Sequence, residues 1–145
     1  LPVEGAVYIT GRDEDKPAIL PVTRRFAESG LRLYATRGTA AFLREHGVDA
    51  TTVYRISENA SPDALGLMRR REIRLVVNTP TSASGARRDG YMMRRLAVDL
   101  NIPFITTVQA AEAAADAIAQ ARAPDLGVRS VQSYAQSARR TSASL

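Results

Sequence analysis

The stretch Leu33-Tyr34-Ala35-Thr36-Arg37-Gly38-Thr39-Ala40-Ala41-Phe42-Leu43 joins a short apolar strand to an amphipathic helix. The pattern predicts that the strand ends at Ala35 and that the helix begins at Thr39, after a tight turn through Gly38. Helix-start N–H groups, two threonine hydroxyls and the positive end of the helix together favour an anion, above all a phosphate. An ordinary strand-to-helix turn with a threonine cap is the alternative, and this stretch alone does not decide between the two.

The composition is that of one folded domain. The chain has 145 residues, 45% of them hydrophobic, which is enough to bury a core. It contains no cysteine, which excludes disulfides and thiolate metal ligands and favours a cytoplasmic protein. No apolar run approaches the roughly 20 residues of a membrane span, and no signal peptide is recognisable. Because the first residue is Leu1 rather than Met, we expect the chain to be part of a longer protein.

The chain is basic, with a formal net charge of +5 and a sequence pI near 10.2. Such a charge raises the question of nucleic-acid binding. The arginines, however, are spread along the chain beside acidic residues and are not interleaved with aromatic residues. We therefore expect a solvated surface and no nucleic-acid partner. Lys16 is the one lysine among 20 basic residues, which makes it a candidate for a specific role.

Strands and helices alternate along the chain. The predicted strands are Ala6–Thr10, Leu31–Ala35, Ala50–Arg55, Ile73–Val77 and Ile102–Thr106. The predicted helices run from Pro17 to the stop at Gly30, and over Thr39–His46, Ala64–Arg70, Asp89–Leu100 and Val108–Arg122, with Asp89 as a cap and Met92 and Met93 in the core. This order predicts an α/β, three-layer, doubly wound fold with a five-stranded parallel sheet. We expect a domain over residues 1–135 and a disordered tail over 136–145.

Ligands of doubly wound folds bind beyond the carboxyl ends of the strands. Hydroxyls, an amide, glycine N–H groups and two cations follow the predicted strands: Thr10, Gly11, Lys16, Thr36, Gly38, Thr39, Arg55, Asn78, Thr79 and Thr81. This set suits a phosphate ester with a polar body. Lys16 and Arg55 can also be read as plain surface charges. With one histidine and no cysteine, a transition-metal site is not expected, and we interpret Asp13-Glu14-Asp15 as solvated.

The segments Asp15-Lys16-Pro17, Tyr34–Ala40, Val77–Pro80 and Asp89–Arg95 resemble the methylglyoxal-synthase-like domain family. They are most similar to the C-terminal allosteric domain of the large subunit of carbamoyl-phosphate synthase. Ile102–Thr107 and Val128–Tyr134 also fit the end of that subunit, so the resemblance covers residues 5 to 135 in matching order.

The resemblance implies a Rossmann-like sheet that binds regulatory ligands: uridine monophosphate as inhibitor, and inosine monophosphate and ornithine as other effectors. It assigns Lys16, Thr36, Gly38, Thr39 and Arg55 to the nucleotide phosphate, and Asn78, Thr79 and Thr81 to the sugar and base. Arg55 stands where a lysine is common, and Gly90 where some members have a serine. Thr106 falls on a position associated with ornithine.

The resemblance further implies a regulatory domain that is not catalytic by itself. It would belong to a glutamine-hydrolysing, ATP-dependent ligase that supplies pyrimidine and arginine synthesis. ATP and Mg²⁺ would bind in other domains, with no cofactor in this one. Partners would be the remaining large-subunit domains and the glutaminase small subunit, in an oligomer. The alternatives are a methylglyoxal synthase, which needs a carboxylate base and a positioned histidine, and an oligomerisation module. The stretch Thr79–Arg88 contains neither a carboxylate nor a histidine, and His46 is predicted at the far end of its helix.

Overall fold

The computed structural model of the chain describes residues 1–54, 59–79 and 84–122, with residues 84–87 described by their backbone alone. In these ranges, five parallel strands form one sheet in the order β3-β2-β1-β4-β5. The strands are β1 (Ala6–Thr10), β2 (Arg32–Ala35), β3 (Thr51–Thr52), β4 (Ile73–Asn78) and β5 (Phe104–Ile105). The predicted five-stranded, doubly wound parallel sheet is confirmed.

Helices cover both faces of the sheet. They are α1 (Lys16–Glu28), α2 (Arg37–Glu45), α3 (Ala64–Arg69), α4 (Ser84–Leu100) and α5 (Val108–Arg122), with a short 3-10 turn, Asp13–Asp15, before α1. One buried cluster joins α1, α2 and α5 to the sheet, and a second joins α3 and α4 to its other face. In β1, Val7 and Ile9 belong to the first cluster and Tyr8 to the second, as the alternation of side chains along a strand requires. An ion pair between Arg25 and Asp116 also links α1 to α5.

Two helices begin earlier than the sequence predicts. Helix α2 starts at Arg37, so Thr36 and not Thr39 occupies the cap position. Helix α4 starts at Ser84, and Asp89 therefore lies inside the helix, where it is buried, and does not cap it. The sequence predicts this helix only from Asp89 onward because Ser84 and Gly85 have weak helix propensity.

The third strand and one core residue also differ from expectation. The sequence predicts a strand over Ala50–Arg55, but ladder pairing is restricted to Thr51 and Thr52. Met93 is buried as predicted, whereas Met92 is exposed, because adjacent residues on a helix point about 100° apart. Arg55, Thr81 and the predicted tail 136–145 lie outside the described residues. None of the helices in the described ranges has both the length and the hydrophobicity of a membrane span.

Candidate functional site

The site lies where the sheet changes winding direction. From β1 the chain runs outward through β2 and β3, then returns to place β4 on the other side of β1. Thr10 and Asn78, the last residues of β1 and β4, are paired in register. Parallel sheets of this type open a crevice beyond the carboxyl ends of two such strands.

Three threonine hydroxyls line the start of α2. The Thr36 hydroxyl lies 3.3 Å from that of Thr39 and 3.5 Å from that of Thr10. Thr36 and Thr39 are both almost fully buried. Thr36 has extended backbone angles, as a cap residue should, yet its side chain makes no hydrogen bond to the helix N–H groups. The first turn of α2 is thus left to donate its N–H groups to another acceptor.

Lys16 is directed over this same turn. Its side chain is only 17% exposed. A Cβ atom added at Gly38 would lie 3.4 Å from the Lys16 Nζ atom, so a glycine here lets the ammonium group approach the start of α2 closely. Lys16 also forms an ion pair with Asp13, with 2.6 Å between Nζ and Oδ1. Lys16 is therefore a cation at the start of α2 and is also paired with an acid of the turn that precedes it.

Thr79 anchors the loop that carries Lys16. Its backbone N–H donates to the carbonyl of Thr10 at 3.1 Å, and its hydroxyl accepts a 3.1 Å bond from the backbone N–H of Arg12. Hydrogen bonding from Arg12 lowers the pKa of Asp15, and a hydrogen bond from the Thr79 hydroxyl lowers it further. Thr79 thus ties the β1–α1 loop to the end of β4.

Helix α4 closes the crevice beside Asn78. A Cβ atom at Gly90 would lie 3.0 Å from the Asn78 Nδ2 atom, so any side chain at this position would meet that amide. The neighbouring Asp89 is only 5% exposed. The sequence indicated Gly90 but not the burial of Asp89, since an aspartate before a helical pattern is most simply read as a cap.

The basic side chains of the β1–α1 loop are paired with acids of the same loop. The Arg12 guanidinium contacts the Asp15 carboxylate at 3.0 Å between Nε and Oδ2. The Lys16 ammonium, through its hydrogen bond to Asp13, lowers the pKa of that carboxyl below its ordinary value. In the described structure, Arg12 and Lys16 therefore each have an acidic partner within the same segment.

Comparisons with known proteins agree with this fold. The model of the family described as "MGS-like domain" matches residues 18–106, more than half of the chain. The chain belongs to this family. A carbamoyl phosphate synthase large chain, C-terminal section, from Methanopyrus kandleri is 50% identical over 118 residues, covering 81% of this chain and 22% of the relative. The carbamoyl phosphate synthase large chain of Methanothrix thermoacetophila is 46% identical over 134 residues, covering 92% of this chain and 12% of the relative.

The chain thus spans only about an eighth to a fifth of the length of these curated relatives. Among solved structures, methylglyoxal synthase from Elizabethkingia anophelis has a TM-score of 0.65 at 21% identity, with 79% of each chain covered. This likeness concerns the fold alone. The resemblance inferred from the sequence motifs is confirmed.

The structure brings most of the predicted site residues of this MGS-like domain to one edge of the sheet. Thr36, Gly38 and Thr39 lie at the start of α2 with Lys16 above them, and Asn78 and Thr79 lie at the end of β4. Thr106 is half-buried and follows β5, the next strand along from β4. Sequence reasoning missed the roles of Arg12, Asp13 and Asp15. The one feature of the sequence that could have indicated these ion pairs is the spacing of three residues between Arg12 and Asp15 and between Asp13 and Lys16.

The single histidine of this MGS-like domain lies away from the crevice. His46 follows the last residue of α2, at the opposite end of the helix from Thr36. Its Nδ1 atom lies 2.8 Å from the carbonyl oxygen of Phe42, and its ring packs on the Phe42 ring with 4.3 Å between centroids. His46 is thus a helix-end residue, as predicted. Within the described ranges, no group of three or more His, Cys, Asp or Glu side chains is arranged to hold a metal ion.

Proposed function

We propose that this MGS-like domain is the allosteric effector-binding domain of a carbamoyl phosphate synthase large chain, and that it binds a nucleoside monophosphate at the start of α2. The relatives at 50% and 46% identity are described as carbamoyl phosphate synthase large chains, the first as a C-terminal section. One observation supports the site most strongly: the largely buried Lys16 ammonium lies over the first turn of α2, beside two buried threonine hydroxyls. A helix start, a full positive charge and hydroxyl donors are the groups that bind phosphate.

In this proposal Lys16, Thr36, Gly38 and Thr39 bind the phosphate, together with Arg55 from beyond β3. Asn78 lies nearer the sugar and base, with Thr81 following it. Thr79 is assigned to the same region, although its hydroxyl already accepts a hydrogen bond from the Arg12 N–H. We therefore expect Thr79 to act mainly by holding the β1–α1 loop. Uridine monophosphate and inosine monophosphate are the proposed effectors, and ornithine is proposed to bind near Thr106.

The test is calorimetric titration of the wild-type chain and of Lys16→Ala with uridine monophosphate and inosine monophosphate. A hydrogen bond to a charged group contributes about 1.5–3 kcal/mol, so Lys16→Ala should weaken binding about ten- to a hundredfold. Arg69→Ala is a matched control, because it removes one positive charge from an exposed position on α3, just before the amino-terminal end of β4. Equal binding by the wild type and Lys16→Ala would place the phosphate elsewhere.

A methylglyoxal synthase activity is the alternative, and one observation favours it: Asp89 places a buried carboxylate next to Gly90, which abuts Asn78. The expected partner histidine is missing from this position, because the one histidine of the chain lies at the far end of α2. We expect no turnover of dihydroxyacetone phosphate. A colorimetric assay for methylglyoxal, with boiled protein as the control, tests this; turnover above that control would favour the lyase.

The proposed regulation acts on parts of the synthase outside this chain. A ligand changes a distant equilibrium only by binding two states of the protein with different affinity. We propose that the effectors do so here, that ATP and Mg²⁺ bind in other domains, and that the glutaminase small subunit completes a cytoplasmic, oligomeric enzyme. The domain would have no cofactor of its own. If no nucleotide binds in the titration, the result favours the alternative that the domain mediates oligomerisation and binds no effector.

A further inference from the structure

The acidic turn Asp13–Asp15 stands directly beside the proposed phosphate position. Asp13 is 91% exposed at its side chain, but its Oδ1 atom lies 2.6 Å from the Lys16 Nζ atom. Glu14, between the two aspartates, is exposed. Asp15 is paired with Arg12 and linked to Thr79. Of these three acids, Asp13 is the one that contacts the cation assigned to the phosphate.

We propose that Asp13 acts as an internal counter-ion that occupies Lys16 when no effector is bound, and that a phosphate monoester must displace it. This inference rests on the proposed function, since it concerns the same site. An ammonium group has three donors, but a dianion and a carboxylate brought to the same group repel each other. Asp13 therefore sets the affinity of the site, although it does not contact the ligand in its bound state.

The geometry makes this exchange possible without unfolding the loop. Asp13 is the first residue of a three-residue 3-10 turn and its side chain is almost wholly in solvent, so it can rotate away freely. Asp15 is tied to Arg12, and Thr79 accepts a hydrogen bond from the Arg12 N–H, so the base of the loop stays in place. Lys16, largely buried at the start of α1, keeps its position over Gly38. Only the Asp13 side chain needs to move.

The decisive measurement compares Asp13→Asn with Glu14→Gln. Both variants remove one negative charge from the same exposed turn, but only the first removes the partner of Lys16. Exposed ion pairs contribute up to about 1 kcal/mol, so Asp13→Asn should bind uridine monophosphate and inorganic phosphate about three- to fivefold more tightly than the wild type. Glu14→Gln should change either affinity by less than about twofold, since its charge acts only through screened solvent.

A second measurement needs no ligand. Carbon-13 NMR titration of the Asp13 carboxyl in the wild type and in Lys16→Gln should show a higher pKa in the variant, because the ammonium that lowers it is gone. If the wild type binds nucleotide but Asp13→Asn binds no more tightly than Glu14→Gln, the counter-ion role is refuted while the proposed function stands. If no variant binds uridine monophosphate, inosine monophosphate or phosphate, the proposed function fails and this inference fails with it, even where the pKa difference proves the ion pair.

Discussion

Replacing Thr79 by valine tests whether one hydroxyl holds the β1–α1 loop against β4. Valine keeps the shape of threonine but removes the acceptor of the Arg12 N–H, and with it the hydroxyl that helps to lower the pKa of Asp15. Asp15 can take water in place of Thr79, whereas the part-buried Arg12 N–H loses a well-placed partner. A buried donor left unsatisfied costs about 1–3 kcal/mol, and the partial burial places this one at about 1–2 kcal/mol. For a domain of this size that corresponds to a melting temperature lower by about 2–8 °C.

Thr23→Val provides the matched control. Thr23 is fully buried in α1, and its hydroxyl donates at 2.8 Å to the carbonyl of Leu20 within the same helix. Its removal leaves no N–H without an acceptor, so the free energy of unfolding should change by less than about 0.5 kcal/mol. Urea denaturation monitored by circular dichroism measures both variants. Equal stability of Thr79→Val and Thr23→Val would refute the anchoring role of the Thr79 hydroxyl. So would an Asp15 pKa, followed by carbon-13 NMR, that does not rise in Thr79→Val.

Leu75→Ala should lower the free energy of unfolding by about 2–5 kcal/mol in urea denaturation, since Leu75 is fully buried in β4, an interior strand of the sheet. Val98→Ala, at a position 72% exposed, should change it by less than about 0.5 kcal/mol, and similar losses would contradict the assigned core. The folded-state pKa of Asp15 is lowered, so its stabilising contribution is complete above the ordinary value of 3.8 and is lost as the pH falls through the lowered pKa. The melting temperature of Asp15→Asn should therefore be lower than that of the wild type at neutral pH and should approach it in acid. If the melting temperatures of the two proteins differ by the same amount at every pH, the stabilising role of the Asp15–Arg12 pair is contradicted. Gly11→Ala would place a Cβ atom 2.4 Å from the Thr79 Oγ1 atom, which must shift. We expect a loss of about 1–3 kcal/mol in stability and weaker phosphate binding by calorimetry; a variant as stable as the wild type would show that the loop can relax.

The elements that the sequence predicts best are those in which local propensity and burial agree. Strand β1 and helix α5 have the predicted bounds, Ala6–Thr10 and Val108–Arg122. The first is a continuous β-branched and aromatic run, and the second is rich in alanine, so local sequence alone indicates both elements. Helix α4 differs because its first residues, Ser84 and Gly85, are weak helix formers that local sequence assigns to a loop.

The candidate site was predictable in its residues but not in its internal pairing. The chain order of strands and helices places Lys16, Thr36 and Asn78 at one edge of the sheet, because parallel strands end together. Whether a side chain three residues from an acid pairs with it depends on the turn between them, and the 3-10 turn Asp13–Asp15 has no clear sequence signal. The burial of Asp89 depends in the same way on a helix that begins five residues earlier than local sequence indicates.

In the part of the chain that the structure describes, the outermost strands of the sheet, β3 and β5, pair over two residues each. An unpaired strand edge is a template on which a neighbouring chain can add another strand, and the risk of such aggregation rises with the length of the edge. An edge strand of two residues offers an incoming strand few main-chain N–H and C=O groups for hydrogen bonding. This domain can therefore be present at high concentration with little tendency to polymerise through its sheet.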